Sequence, residues 1–579
     1  MNIKEEIKKS IETTVNALYP DFSSLRNQGI DVLVEIPKEK RYGDYSTNIA
    51  LALAKKVRKN SIEVANYIFS KMNYYNVLKN IGIEKVEVAG SGFINFYLSK
   101  DFFIENLKKV LKEKTKFGHN QNLKGEKTIV EYTDPNPFKE FHIGHLMSNS
   151  IGESLSRIFE FQGARIKRAN YQGDVGLHVA KVIWGKLKNP DKTWQESYVL
   201  GNKGYKENEN TKKEIEEINK KIYEMILRKT QDRSDKNINK LYYEGKKESL
   251  NYFEKIYKKL GTKFDYYFFE SEVGDFGKKI VREGLEKGIF EKGEKGVIVF
   301  KGEKYGLHTR VFISSEGLPT YEAKELGLAK IKYDRYKYNN SIIVTGNEIN
   351  EYFKVLIASM KEIFPDLAQK TKHIGHGMMR LPEGKISSRS GKVITFESLL
   401  NQVEWLVREK IKNRDLPDAE KKKITEKVAV GTLKYSILKQ SIGSDIVFDF
   451  EKSISFEGDS GPYLQYSLAR AMSVLRKAES EKIKRDPNLR MHPNNPNNFE
   501  KKMIYFPDVV EKSGKEYEPH YIVLYLTELA REFNGYYESN RIVEKKDEFS
   551  PYKVALTEAF SIIMKNGLWL LGIETPERL

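Results

Sequence analysis

Apolar positions along the chain follow two rhythms, and the rhythm changes from region to region. In MNIKEEIKKSIETTVNALYP, residues Ile3, Ile7, Ile11, Val15 and Leu18 recur at helical spacing between charges. That pattern predicts an amphipathic helix and not a signal peptide. RYGDYSTNIALALAKKVRKNSIEVANYIFSKM reads as two helices, and IEKVEVAGSGFINFYLS as two short strands around a glycine turn. The G-S-G of that turn lacks the third glycine of a dinucleotide loop. Residues 1–115 thus read as a small α/β module.

From residue 127 the rhythm becomes strand, helix, strand. KTIVEYTD is an apolar strand entering a Pro/Asn loop, and a helix is expected from Leu146 to about Phe161 with Ile151, Leu155, Ile158 and Phe159 on one face. GARIKRANYQGDVG returns as strand and loop. Such a βαβ unit predicts a parallel sheet. A charged helical stretch interrupts it over about 185–300, where Ile215, Ile218, Ile222 and Met225 mark one amphipathic helix of a solvated hairpin insert. NSIIVTG, at 340–346, resumes the sheet. Beyond about 400 the pattern is helical: SLARAMSVLRKA, YIVLYLTELAREFNGYYESN and YKVALTEAFSIIMKNGLWLLGI, with a polar linker near 480–502. The expected organisation is α/β and multidomain: a module over 1–115, a parallel-sheet domain over 116–400 and an all-α domain over 401–579. There is no internal repeat and no Walker A sequence.

Composition narrows this picture. The 579 residues are 39% hydrophobic and 31% charged, without an apolar run long enough to span a membrane. The absence of cysteine removes disulfides, thiolate zinc sites and cysteine nucleophiles, and suits a cytoplasmic protein. Lys and Arg number 99 against 81 acidic residues, a formal charge of +18 that fits a polyanionic partner.

The candidate chemistry lies in a repeated word. His-Ile-Gly-His occurs at 142–145 and again at 373–376. The first copy follows a buried strand and opens a helix, whose N-terminal amides and dipole favour a phosphate. His142 and His145 lie three apart and can donate hydrogen bonds to charge developing on a phosphate, while Gly144 permits close approach. The second copy reads as a strand feeding a basic, small-residue loop, Lys385-Ile386-Ser387-Ser388-Arg389-Ser390-Gly391-Lys392. Lys385, Arg389 and Lys392 can clamp a triphosphate wrapped by the Ser and Gly backbone.

A HIGH helix followed by this KMSKS-like loop across a split parallel sheet resembles a class I aminoacyl-tRNA synthetase with a Rossmann-like sheet. VEYTDPNPFKEFHIGHLMSNSIGES, NYQGDVGLH, GTLKYSILKQSIGSDIVFDFEKSISFEGDSGPYLQYSLAR and the closing LGIETPERL are similar to arginyl-tRNA synthetases. So are YGDYSTNIALALAKK and VAGSGFINFYL, which resemble that family's N-terminal tRNA-binding module. The resemblance covers nearly the whole chain. It implies activation of L-arginine by ATP to the adenylate, then transfer to the 3′ end of tRNA(Arg). Mg²⁺ is implied with ATP, zinc is not, and a cytoplasmic monomer is expected.

The resemblance also implies residue roles. Glu131, Asn136, His145, Tyr321, Glu325 and Glu348 would surround arginine. His142, Gly144 and His145, with Lys385, Ser387, Ser388 and Arg389, would hold ATP. The second lysine of KMSKS falls at Ser388, and Lys139, just before HIGH, would compensate for it. Tyr463, Gln465, Tyr466 and Arg470 lie where the family's helical anticodon-binding domain meets tRNA. The chain departs from the family pattern at Asp134, Met147, Glu325 and Glu348, where Ser or Ala, Arg, Asp and Gln are usual. Gln172 and Asp174 either line the site or form a structural turn.

Other readings are open to test. A cysteine- or methionine-specific class I synthetase usually carries zinc ligands, and an editing enzyme a much larger insert. A HIGH-type nucleotidyltransferase has no need of the helical C-terminal part. A catalytically altered tRNA-binding paralogue is not expected to keep His142, Gly144, His145 and Lys385.

Overall fold

In the computed structural model, which describes residues 3–27, 29–72, 78–228, 236–381, 394–487 and 497–579, the first amphipathic repeat becomes α1 (Ile3–Leu18), with Ile3, Ile7, Ile11 and Val15 buried. It is followed by α2 (Phe22–Asn27), β1 (Tyr45–Thr47), α3 (Ile49–Val57), α4 (Ser61–Lys71), β2 (Ile83–Ala89), β3 (Phe93–Leu98) and α5 (Lys100–Glu113). The strands form an antiparallel sheet in the order β1-β3-β2.

The second region begins with β4 (Lys127–Tyr132), α6 (Ile143–Phe161) and β5 (Arg165–Gln172). Four helices follow: α7 (Leu177–Lys188), α8 (Trp194–Glu207), α9 (Glu209–Arg228) and α10 (Lys236–Leu260). Then come β6 (Tyr266–Phe269), α11 (Glu270–Glu286), the strands β7 (Glu291–Lys292), β8 (Ile298–Phe300) and β9 (Arg310–Ile313), and α12 (Tyr321–Arg335). The region closes with β10 (Asn340–Gly346), α13 (Asn350–Ile363), α14 (Pro365–Lys370), β11 (Thr371–His376) and β12 (Met379–Arg380). Five strands build one parallel sheet in the order β11-β10-β4-β5-β6. The chain winds from β4 toward β6 on one side and from β10 toward β11 on the other. The order therefore reverses between β4 and β10, and in such sheets ligands bind there, beyond the carboxyl ends of the strands.

The stretch expected as one insert over 185–300 is more divided. β6 lies inside it and pairs with β5 through Ala169–Tyr266 to Gln172–Phe269, so the sheet has its edge strand where a helical interruption was expected. Nor is the helical part merely a solvated hairpin. Ile215, Ile218, Ile222 and Met225 bury their face against Val179, Ile183 and Tyr242, around Phe138 of the β4–α6 loop.

The third region is helical: α15 (Phe396–Ile411), α16 (Asp418–Leu438), a short β13 (Ile446–Val447) paired with β12, α17 (Phe450–Ser453), α18 (Gly461–Ser480), α19 (Asn498–Met503), α20 (Phe506–Glu516), α21 (His520–Ser539) and α22 (Ser550–Leu570). The N-terminal region docks on it: Tyr45 donates to Asp508 at 2.8 Å and Lys501 pairs with Asp44 at 2.9 Å. A second junction fixes the sheet region. Lys434 of α16 is buried and donates to the carbonyls of Leu260 at 2.6 Å and Gly572 at 2.7 Å. Beside it, Arg157 of α6 donates to the carbonyls of Trp569 and Gly261 and pairs with Glu153, and Ser154 donates to Leu570 O at 2.9 Å. Burial, then the nearby Arg157 charge, pulls the Lys434 ammonium down to about 7. Among the described residues no helix is long and apolar enough to cross a membrane.

Candidate active site

The loop from β4 to α6 is strained where it turns over the sheet. Thr133, Asp134 and Phe138 all have positive φ, at 82°, 46° and 70°, a region that side chains other than glycine enter only when their surroundings hold them there. The holding contacts are on hand. Thr133 N donates to Ser148 Oγ at 2.9 Å, and that hydroxyl donates to Val344 O at 2.6 Å, so strand, helix and neighbouring strand share one bridge. Asn136 Oδ1 accepts from Gly173 N at 3.0 Å. Phe138 N donates to Ser249 Oγ at 2.8 Å while the ring enters the core of the α7–α10 helices. Gly152 lets α6 lie this close: a Cβ there would meet the Tyr132 ring at 2.3 Å.

The helix starts three residues earlier than expected because His142 caps it. His142 Nδ1 accepts from Gly144 N, and His145 Nδ1 accepts from His142 N, both at 3.1 Å. The two rings stack with centroids 3.5 Å apart. Gly144 leaves room for this stack, since a Cβ there would press on the His142 ring at 3.0–3.1 Å. Burial, then the Lys139 charge, pushes His142 down to about 4, against an opposing pull from Glu348. Burial and the His142 ring hold His145 well below its ordinary value. Both imidazoles are therefore neutral at pH 7. With Nδ1 spent on a backbone amide, each carries its proton on Nε2 and offers one donor to a ligand.

At the start of the β4–α6 loop and on α12 lie three carboxyl groups that act on one another, Glu131, Asp134 and Glu325. Glu131, at the end of β4, is buried and paired with Lys332 of α12 at 2.7 Å. Asp134 accepts from Tyr171 N at 2.7 Å. Burial and the Glu131 charge raise Asp134 well above the usual carboxylate range and Glu325 to about 8. Among the described residues Lys332 is the cation that acts on all three carboxyl groups, an excess of acid over base that suits a further cation. Tyr321, four residues before Glu325, stands at the start of α12 and is exposed. Glu348 is also exposed, in the turn after β10, where its charge acts on His142 and on His376. That places its charge within reach of an imidazole of each copy.

The second copy of the tetrapeptide is built differently. His373 lies in β11, its Nε2 2.7 Å from Thr345 Oγ1 and its ring stacked on Phe353 at 3.9 Å. His376 is buried, with Nδ1 2.7 Å from Gly377 O. Lys385, Ser387, Ser388, Arg389 and Lys392 lie outside the described residues. The residues just after them are described and reach the first copy: Ile143 N donates to Ile394 O at 3.2 Å and Phe396 N to Phe141 O at 2.8 Å. Lys139 is half-buried near His142, His178 and Lys181. Met147, where the family pattern has Arg, is buried in the core. Asp174 is a structural tie and not a wall of the site: fully buried, it takes Lys246 at 2.6 Å, Tyr242 at 3.0 Å, and both the amide and the hydroxyl of Ser271. Gln172 is equally buried and donates to Asn170 Oδ1 at 2.6 Å.

Comparison with known proteins settles the family. Residues 106–450 match tRNA synthetases class I (R), catalytic domain; residues 464–579 match the DALR anticodon binding domain; and residues 1–98 match the arginyl tRNA synthetase N terminal domain. The chain belongs to the arginyl-tRNA synthetases. It is 31% identical over 564 residues to the arginine–tRNA ligase of Clostridium perfringens, covering 96% of this chain and 97% of that one. It is 32% identical over 593 residues to that of Pediococcus pentosaceus, covering all of both. Its fold matches the arginyl-tRNA synthetase of Thermus thermophilus with a TM-score of 0.76 at 21% identity, over the full length of each chain.

In this synthetase the helical region carries an open basic groove of ≈ 820 Å³, lined by Arg414, Tyr466, Arg470, Tyr537 and Arg578 among others. The Arg470 guanidinium sits 4.9 Å over both the Tyr466 and the Tyr537 rings and donates to Asn534 Oδ1 at 2.7 Å. Of the four residues expected to meet tRNA, Tyr466 and Arg470 line this groove. Tyr463 is half-buried, with its hydroxyl accepting from Asn534 at 3.0 Å. Gln465 does not present itself to a partner. It is fully buried, its amide donating to Glu574 O at 2.6 Å and Lys427 O at 3.2 Å. Sequence reasoning missed Lys332, although it lies seven residues after Glu325 and so on the same helical face. It also missed the ion pair of Lys324 with Glu270, both buried, at 2.5 Å.

Proposed function

We propose that the enzyme joins L-arginine to tRNA(Arg) in two steps. An oxygen of the arginine carboxylate attacks the α-phosphorus of ATP, and pyrophosphate leaves with the electrons of the broken P–O bond. A hydroxyl of the terminal adenosine of the tRNA then attacks the carbonyl of the adenylate, and AMP leaves. No covalent nucleophile of the protein is required, only positioning and charge stabilisation. His142 and His145 would present Nε2–H donors to the α-phosphate, with Gly144 making room for them. Lys139 would hold phosphates together with Lys385, Ser387, Ser388 and Arg389. Glu131, Asn136, His145, Tyr321, Glu325 and Glu348 would form the arginine pocket, in which Asn136 fixes the loop. Mg²⁺ would enter on the phosphates of ATP. Among the described residues no group of three or more His, Cys, Asp or Glu is placed to hold a metal by itself.

The observation that carries this reading is the buried carboxyl cluster of Glu131, Asp134 and Glu325, on the strand and loop that lead to the neutral imidazole pair and on α12, since a guanidinium is planar, permanently charged and rich in donors. The groove around Tyr466 and Arg470 supports an anticodon-binding role for about 401–579, with 1–115 as a second tRNA-binding module, 116–400 as the catalytic domain and a monomer in the cytoplasm as the working form. The test is aminoacylation of tRNA(Arg) with each of the twenty amino acids, beside a tRNA of another specificity. Arginine alone on tRNA(Arg) alone is expected. Charging with another amino acid, or none, would overturn the reading.

A further inference from the structure

The helices between β5 and β6 surround the lysine that precedes the first His-Ile-Gly-His. Phe138 locks one side of it: the ring is buried 5.8 Å from Trp194 and 6.1 Å from Tyr242, and its backbone has the positive φ already noted. Phe141 locks the other, fully buried 6.4 Å from the Phe253 ring and 5.8 Å from the Phe396 ring. Between these anchors the Lys139 ammonium lies 5.4 Å from the centre of the Tyr198 ring of α8. Lys181 of α7 is its like-charged neighbour, itself held by Asn202 at 3.0 Å and over the Tyr205 ring at 4.3 Å.

We infer that Tyr198 is a positioning residue for ATP: its ring holds the Lys139 ammonium at the mouth of the imidazole pair and leaves its charge free for a phosphate. This rests on the role given to Lys139 above. An aromatic face attracts a cation without neutralising it, whereas a carboxylate at the same place would compete with the incoming anion. Burial and the Lys181 charge lower the pKa of Lys139 and outweigh an opposing pull from Glu270, whose carboxylate is already ion-paired to Lys324, so the ammonium gains when an anion arrives. The α7–α10 helices thereby acquire a task in the reaction although they lie beside the sheet and not in it.

The experiment is a double-mutant cycle on the full-length enzyme, with Lys139→Met, Tyr198→Ala, Tyr198→Phe and the combination of Lys139→Met with Tyr198→Ala, read as steady-state kinetics in ATP and in arginine. Tyr198→Ala is expected to lower kcat/KM for ATP roughly threefold to thirtyfold, the range of a cation–ring contact. Arginine KM should stay within about twofold. Tyr198→Phe, which keeps the ring, should restore most of the loss, and in the Lys139→Met background Tyr198→Ala should add nothing. Val199→Ala, an exposed neighbour on the same helix, should match the wild type. Additive losses in the combination, or equal losses for Ala and Phe, overturn this inference alone. An unchanged ATP response in Lys139→Met overturns the role of Lys139 as well, while leaving arginine charging by the wild type intact.

Discussion

The two copies of His-Ile-Gly-His differ only in what surrounds them. The first sits at a helix start, where residues three apart share a side, so His142 and His145 stack and turn the same edge outward. The second sits in a strand, where residues three apart face opposite sides, so His373 packs on Phe353 while His376 turns to its own chain at Gly377. One copy ends a strained loop and faces the Lys139 charge, the other meets a ring and a hydroxyl. Four residues of identical chemistry acquire different partners from the backbone that carries them. The tetrapeptide is a consequence of its setting as much as a cause of it.

The comparison is broken most severely by removing a charge from the carboxyl cluster that accompanies the first copy. Glu325→Gln removes one partner of a desolvated charge pair with bound arginine, roughly 3–5 kcal/mol or a hundredfold to a few thousandfold in kcat/KM. Kinetics in arginine and in ATP check this, with the ATP response changing far less. The same residue predicts a pH dependence. Its carboxyl is raised from 4.5 to about 8, so the empty folded site holds a proton that a bound guanidinium expels. Arginine KM should fall as pH rises toward 8 and level off above it, and Glu325→Gln should abolish the slope. The raised value also means that the folded state holds this proton more tightly than the unfolded chain. The group's contribution to stability is therefore present below its ordinary value and declines as pH rises through that window.

Next comes the direct contrast between copies. His145→Ala should lower kcat roughly 10²–10³-fold, as loss of a donor to developing charge does, while His376→Ala keeps kcat within about threefold of wild type. Equal losses would erase the distinction. His376→Ala should instead cost stability, about 1–3 kcal/mol for a buried polar partner removed, measurable by chemical denaturation. The smallest effect separates capping from chemistry at His142. His142→Ala should lose about 0.5–2 kcal/mol of stability with the cap, and His142→Asn should recover it. Activity should stay low in both, because neither places an Nε2–H donor over the sheet.

Periodicity revealed elements in proportion to their length. NSIIVTG coincides with β10 because a continuous apolar run is what a strand buried on both faces requires. The last long helix was equally plain in its apolar repeat. Tyr266–Phe269 was not, since four aromatic residues fit a helix edge as well as a strand, and only pairing with β5 decides. At the site, the strong signals were those of residue type: paired histidines after a Pro/Asn loop, and a Tyr and a Glu one helical turn apart. What stayed hidden depends on burial. Gln465 was expected where tRNA binds, and its amide instead meets two backbone carbonyls; between lining the site and forming a structural turn, the four donors that converge on Asp174 decide for structure. No local pattern announces a partner two hundred residues away, as Lys332 is for Glu131.

The junction at Lys434 bears on how the molecule is made. Its two acceptors are Leu260 and Gly572, and Arg157, on the helix that begins with the first histidine pair, leans on Trp569. A ribosome will have released most of the sheet long before it reaches residue 572. Until then the ammonium lacks its second acceptor and the helix lacks its brace. A chain broken off before Trp569 leaves a buried amine half-served and a site without its backing, so nascent fragments of this synthetase should be inert and ready substrates for quality-control proteases. Competence waits on residues far downstream of the sheet they steady.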